Sequence, residues 1–148
     1  MKQFVLSMHI LMVLALPAYA ADLSSPVGLW KTIDDNSGKP EGLIRIELID
    51  GHYHGRIEKI FPEPGEDPNP TCVKCQGARR NQPVIGLTFM WGLTKRGDEY
   101  QGGEILDPKT GKIYRAKLKL DDGGKKLNVR GFIGFSLLGR TQVWYREQ

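Results

Sequence analysis

The chain has 148 residues, two cysteines, three histidines and a formal net charge of +4. Setting aside an N-terminal export peptide of about twenty residues leaves roughly 128, enough for a single core and too few for a second catalytic domain. With 40% apolar and 26% charged residues the composition is that of a globular protein and excludes general disorder, while 18 glycines and 9 prolines indicate many turns between short elements.

The first twenty residues carry Lys2, an apolar run from Phe4 to Leu16, then Pro17 and Ala18-Tyr19-Ala20. This is the pattern of a secretory signal peptide cut after Ala20, and the run is too short for a membrane anchor, which needs about twenty apolar residues. The expected organisation is therefore a signal peptide over 1–20 and one domain over 21–148. No later stretch is apolar enough to span a bilayer, so the mature protein is expected in the periplasm or the medium with no integral membrane segment. Losing Lys2 lowers the side-chain balance to about +3. With no nucleic-acid-binding motif either, nucleic acid is not an expected partner.

Strand-like runs then alternate with turn signals. Gly28 to Asp34 is the first strand. Gly42 to Asp50 is the second, with Ile44, Ile46 and Leu48 on one face and Arg45 and Glu47 on the other. Asp50-Gly51 is a hairpin signal, returning the chain through Tyr53 to Phe61. Residues 62–83 are rich in Pro, Asn, Gly and charge, and their length calls for something that pins them. Cys72-Val73-Lys74-Cys75 supplies the pin: in an oxidising compartment the pair is expected to be one disulfide that shapes a partial lid.

Val84 to Lys95 is read as a buried strand in preference to a short helix. Glu99 to Leu106, Lys112 to Asp121, Leu127 to Gly134 and Gly139 to Glu147 complete a set of eight. They are separated by reversals at Asp107-Pro108-Lys109-Thr110-Gly111 and Asp122-Gly123-Gly124. In the sixth strand Tyr114, Ala116, Leu118 and Leu120 alternate with a solvent-facing Arg115, Lys117 and Lys119. Eight strands joined mainly by hairpins favour an all-β fold: a single antiparallel up-and-down β-barrel, closed so that no edge is left bare.

Gly28-Leu29-Trp30 resembles the Gly-x-Trp on the first strand of lipocalins, in which an Arg of the last strand packs over the Trp; here that Arg is Arg140 or Arg146. Together with GLWKTID at 28–34, GGEILDPKTGKIY at 102–114 and VRGFIGFSLLGRTQVWYR at 129–146, the chain resembles the bacterial domain-of-unknown-function family 2147. These are short exported proteins that look like lipocalin and fatty-acid-binding barrels. The resemblance covers nearly all of the mature chain and implies a lipocalin-like barrel and export, without bringing a reaction or a substrate.

The residues themselves point to non-catalytic binding of a small amphipathic or anionic ligand. An eight-stranded barrel either fills itself with side chains or holds one small guest. Arg140, Gln142, Trp144 and Arg146 share one face of the last strand. With that face inward, Arg140 anchors a carboxylate while Trp144, Trp30, Tyr114 and Arg130 line the same volume. The structural reading stacks Arg140 on Trp30 instead. An inward Arg needs an acidic partner or an anionic ligand, and Glu104 is a candidate partner.

Two alternatives stand beside this. One is a filled barrel acting through its surface as an envelope protein-interaction module, its protein partner unknown. The other is redox or zinc chemistry at Cys72 and Cys75, with His52 and His54 as further zinc ligands. No G-x-S-x-G elbow, phosphate-cradling loop or other catalytic constellation is present, so no enzyme, cofactor or resident metal is expected.

Overall fold

The computed structural model describes residues 20–147; the signal-peptide expectation for 1–20 falls almost wholly outside them. The described residues form eight strands: β1 (Gly28–Ile33), β2 (Pro40–Ile49), β3 (His52–Ile60), β4 (Thr88–Arg96), β5 (Glu99–Leu106), β6 (Ile113–Asp121), β7 (Lys126–Phe132) and β8 (Gly139–Glu147). Each is hydrogen-bonded to the next, antiparallel throughout, and β8 returns to β1 to close the barrel. The seam pairs Leu29 with Glu147, Trp30 with Arg146 and Lys31 with Tyr145, and a Lys31–Glu147 ion pair of 2.7 Å lies across it.

All eight expected strands are present, and of the stretch expected as one buried strand from Val84 to Lys95 the part from Thr88 onward is extended. The four residues before it turn instead: Leu87 N–H donates to Val84 O, and Gly86 N–H donates to Ile57 O at the end of β3. The Asp50-Gly51 reversal has positive φ at both positions, 50° and 79°, the geometry that makes a two-residue hairpin follow the twist of its strands.

Alternation decides what faces in. Trp30 of β1, Ile44 and Ile46 of β2, Ile57 of β3, Tyr100 of β5, Ala116 and Leu118 of β6, Leu127 and Val129 of β7 and Trp144 of β8 are all buried and belong to one continuous core, and the polar Thr32 of β1 is buried as well. Trp30 and Trp144 are the largest members of the core, and the Trp144 ring packs near Phe89, centroids 6.1 Å apart. Arg45 and Glu58 face outward in a two-pronged pair, with the Arg45 Nε and Nη2 atoms donating to the Glu58 carboxylate at 2.8 and 3.1 Å.

One end of the barrel is shut by the segment before β1. The Trp30 indole N–H donates to Pro26 O at 2.8 Å, and the Tyr100 hydroxyl lies 3.5 Å from Ser24 O. Arg146 fastens this strap by donating to the carbonyls of Ser25, Val27 and Gly124 at 2.7, 3.0 and 2.7 Å. Its guanidinium also lies over the Trp30 ring. Thus Arg146 and not Arg140 covers the Trp: the seam register sets Arg146 opposite Trp30, whereas Arg140 pairs with Gly131 at the other end of β8.

Candidate functional site

The other end of the barrel is covered on one side only. Cys72 and Cys75 are joined in a disulfide and both are buried, with Cys72 Sγ 3.5 Å from Pro108 O in the β5–β6 turn. The loop that carries them is pinned by a bridge between Thr71 and Pro83 and by Arg79, whose guanidinium lies 4.0 Å from the centre of the Trp91 ring. Lys109 of the β5–β6 turn reaches Glu41 of β2 at 3.0 Å, joining elements on far sides of the ring. Lys39 meets Glu63 nearby. The loop from Pro62 to Pro83 therefore forms a disulfide-bearing plug whose cysteines belong to the barrel core.

Beside the plug, toward β6–β8, the inward row is less enclosed. Ile105, Tyr114, Gly131 and Gln142 are half-buried and Arg140 is exposed, whereas Leu118, Leu127 and Trp144 below them are buried. Tyr114 lies alongside Gly131, whose missing side chain leaves ordinary contact distance to Tyr114 and Ile105. Gln142 accepts the Trp144 indole N–H at 3.3 Å. Arg140 Nε lies 3.3 Å from Asp35 in the β1–β2 turn, so its acidic partner is Asp35. Glu104, on the outer face, accepts the Trp91 indole N–H instead.

Of the five residues expected around one ligand volume, Tyr114 and Arg140 lie in the inward row at this end, while Trp144 is on the same face of β8 but four residues deeper, opposite Leu127. Trp30 is buried near the strap, at the shut end. Arg130 does not join them. It alternates with inward Val129 and Gly131, pairs with outward Lys117 and Thr141, and donates to Ser136 O at 2.5 Å and the Thr141 hydroxyl at 2.9 Å.

The zinc proposal loses its donors. Both cysteine sulfurs are bonded to each other, leaving no thiolate, and they sit by the lid. His52 and His54 start β3 at the strap end, where His52 Nδ1 lies 3.0 Å from Asp50 O. Among the described residues no group of three or more His, Cys, Asp or Glu is arranged to hold a metal. Burial of both sulfurs also shields the disulfide from a thiol partner.

Two open grooves lie outside the wall. One, of about 520 Å³, runs over β5 and β6 between Arg96, Gln101, Glu104, Arg115, Lys117 and Phe132. It is opened by irregular pairing: Gly102 bulges from β5 with φ of 81°, and a Cβ on Gly103 would lie 2.3 Å from Trp91 O. The second, of about 490 Å³, lies at the strap between Asp22, Val27, Arg45 and Arg146. Burial pulls the Arg146 guanidinium below its ordinary value, with Asp22 opposing that trend.

Sequence reasoning did not mark residues 133–138, the β7–β8 connection. Ile133, Phe135, Leu137 and Leu138 are exposed there, while Arg115 and Arg130 donate to its carbonyls. The signal was available: an apolar run between strands that fits neither a turn nor an alternating face.

A family model described as "Uncharacterized protein conserved in bacteria (DUF2147)" matches residues 28–146. No curated protein matches. Among solved structures, the chain is similar to HP1028 from the human pathogen Helicobacter pylori, described as belonging to the lipocalin family. The TM-score is 0.71 at 18% identity, over 84% of this chain and 84% of that one. No helix among the described residues is long and apolar enough to cross a membrane.

Proposed function

Because the chain belongs to the DUF2147 family of bacterial proteins, with a closed lipocalin-like barrel as its fold, we propose that it is an exported, non-catalytic binding protein for a small amphipathic or anionic molecule. The ligand sits in the gap between the disulfide plug and β6–β8. One observation carries the reading: at this end the inward row combines a half-buried aromatic and aliphatic wall, Tyr114 and Ile105, with an exposed cation, Arg140. Trp144 and Phe89 form the apolar floor. An anionic head exchanging with Asp35 at the Arg140 fork, while the apolar part covers Tyr114, matches the polarity of the gap. The disulfide supports export, since such bonds persist in oxidising compartments.

The test is titration of the mature protein with an anionic fluorescent amphipath such as anilinonaphthalene sulfonate, alongside organic extraction and mass analysis of protein purified under native conditions. Saturable binding weakened about tenfold by Arg140→Ala or Tyr114→Ala supports the site. Absence of saturable binding together with an empty extract overturns it.

The packed belt from Trp30 to Trp144 favours a second reading, a filled barrel that works through its outer face in the envelope. Crosslinking in the periplasm separates the two, because a surface module yields a defined protein or cell-wall adduct with the Arg140 and Tyr114 variants as well as with the unaltered chain.

A further inference from the structure

The β7–β8 connection spans only six residues, 133–138, and four of them are large and apolar. Ile133 is 64% exposed, Phe135 77%, Leu137 88% and Leu138 65%. Solvent-facing side chains of this size ordinarily occur singly, and a cluster marks a surface that meets something else.

The backbone of the tip is already provided for. Ile133 N–H donates to Leu138 O at 3.1 Å and Leu138 N–H donates to Phe135 O at 2.9 Å. Arg115 Nη1 donates to Gly134 O at 3.5 Å and Arg130 Nε donates to Ser136 O at 2.5 Å. Four carbonyls are thus held by donors of the protein, while the apolar side chains point away from it. That division suits entry into an apolar phase, where an unpaired peptide group is costly.

The same two arginines give the surroundings their sign. Among the described residues neither Arg115 nor Arg130 has a carboxylate within ion-pair distance. Arg96 and Lys117 stand in the adjoining groove, and Arg140 begins β8. Lys117 and Arg140 are balanced by Glu99 and Asp35, and Glu104, opposite Arg115 in the register, keeps its charge while accepting the Trp91 indole N–H, so the cations in excess beside the tip are Arg96, Arg115 and Arg130. An apolar tip collared by cations complements an anionic lipid surface, where aromatic and aliphatic side chains enter the headgroup boundary and arginines meet phosphates.

We propose that residues 133–138 form a docking tip by which the barrel sits on an anionic bilayer, with Phe135 and Leu137 entering the interface and Arg115 and Arg130 facing the headgroups. The tip follows β7 at the end of the barrel that carries the plug, so docking holds that end near the membrane.

Co-sedimentation of the mature chain with phosphatidylcholine vesicles, with and without phosphatidylglycerol, tests this at low and high salt. The expected result is salt-sensitive binding to the phosphatidylglycerol vesicles, reduced about tenfold or more in a Phe135→Ser/Leu137→Ser variant. Replacing Arg115 with Gln should weaken binding to a smaller extent and reduce its salt dependence. Because the substituted side chains are exposed, circular dichroism and binding of the fluorescent amphipath should remain as in the unaltered chain, so loss of docking and loss of the interior site are read separately. Failure of the unaltered chain to sediment with either vesicle, or equal sedimentation of the tip variant, overturns the proposal. So does a dimer in solution that the tip variant dissociates, since a second copy would then be what covers the loop.

Discussion

The Arg146 guanidinium carbon lies 4.2 Å from the centre of the Trp30 ring, on the strand pair that closes the barrel. The same side chain holds three carbonyls of the strap and the β6–β7 connection. Arg146→Ala leaves those acceptors unpaired and uncovers the indole, and should cost about 2–4 kcal/mol in urea unfolding. Arg146→Lys should recover less than half of the loss, because an ammonium cannot reproduce the planar fork and its stacking. Equal stability of Arg146→Ala and the unaltered chain would show that the strap is held by other contacts.

The bulge on β5 sets a second expectation. Where a Cβ on Gly103 would go there is backbone, Trp91 O at 2.3 Å and Leu93 N at 2.8 Å, with Leu93 Cγ at 2.6 Å between them. Gly103→Ala must push β4 away and should destabilise by about 1–3 kcal/mol. Its control is an alanine at Gly55, where the nearest atom is the flexible end of Met90, at 2.8 Å, and the cost should be smaller. Thermal unfolding of the pair checks the order.

Removing the disulfide should reshape the lid and spare the barrel. Cys72 and Cys75 enclose only two residues, so the chain-entropy contribution is about 2 kcal/mol. A Cys72→Ser/Cys75→Ser variant is expected to keep the β-sheet circular dichroism signal while the plug becomes more open to proteolysis. Collapse of the whole signal on reduction would assign the bridge a larger role.

Stability should fall on both sides of neutrality, for different reasons. The Ser24 hydroxyl and amide hold Asp22 below the ordinary carboxylate value, Ser37 does so for Asp34, Arg45 for Glu58 and Lys119 for Asp98. Depressed carboxyls contribute stability above their unfolded values near pH 4, and that contribution is lost as pH falls through the lower folded values. Tyr100 is shifted the other way, upward, chiefly by burial, with Tyr53 and Asp22 adding to it. Its contribution is complete below about pH 10 and is lost as pH rises through the folded value. Urea midpoints measured against pH should therefore decline at both ends, and Tyr100→Phe should flatten the alkaline limb alone. An unchanged limb would remove Tyr100 as its source.

Fold and site were legible to different depths. Alternation in β2 and β6 named the inward faces, and the Asp50-Gly51 signal set the β2–β3 hairpin, because strand period and turn chemistry are local properties, whereas for β8 alternation sorted the two faces without saying which one turns in. The same rule, applied from Leu127 and Val129, turns Arg130 outward; grouping it with Tyr114 overlooked its parity. Parity could not choose between Arg140 and Arg146, since both lie on one face of β8 and only the β1–β8 register decides which meets Trp30. The pairings of Arg140 with Asp35 and Lys109 with Glu41 link turns far apart in the chain, and no periodic pattern encodes them. The lid was visible only as a cysteine pair in an aperiodic stretch. What it packs against came from the folded chain.

The seam between β1 and β8 also governs when the molecule can be finished. Trp30 must await Arg146, so every intervening residue has to be made before the first strand acquires its second neighbour. A chain cut short before Gly139 would leave β1 and β7 as raw borders, open to strands from other molecules. Premature termination should accordingly yield aggregates rather than a smaller working domain.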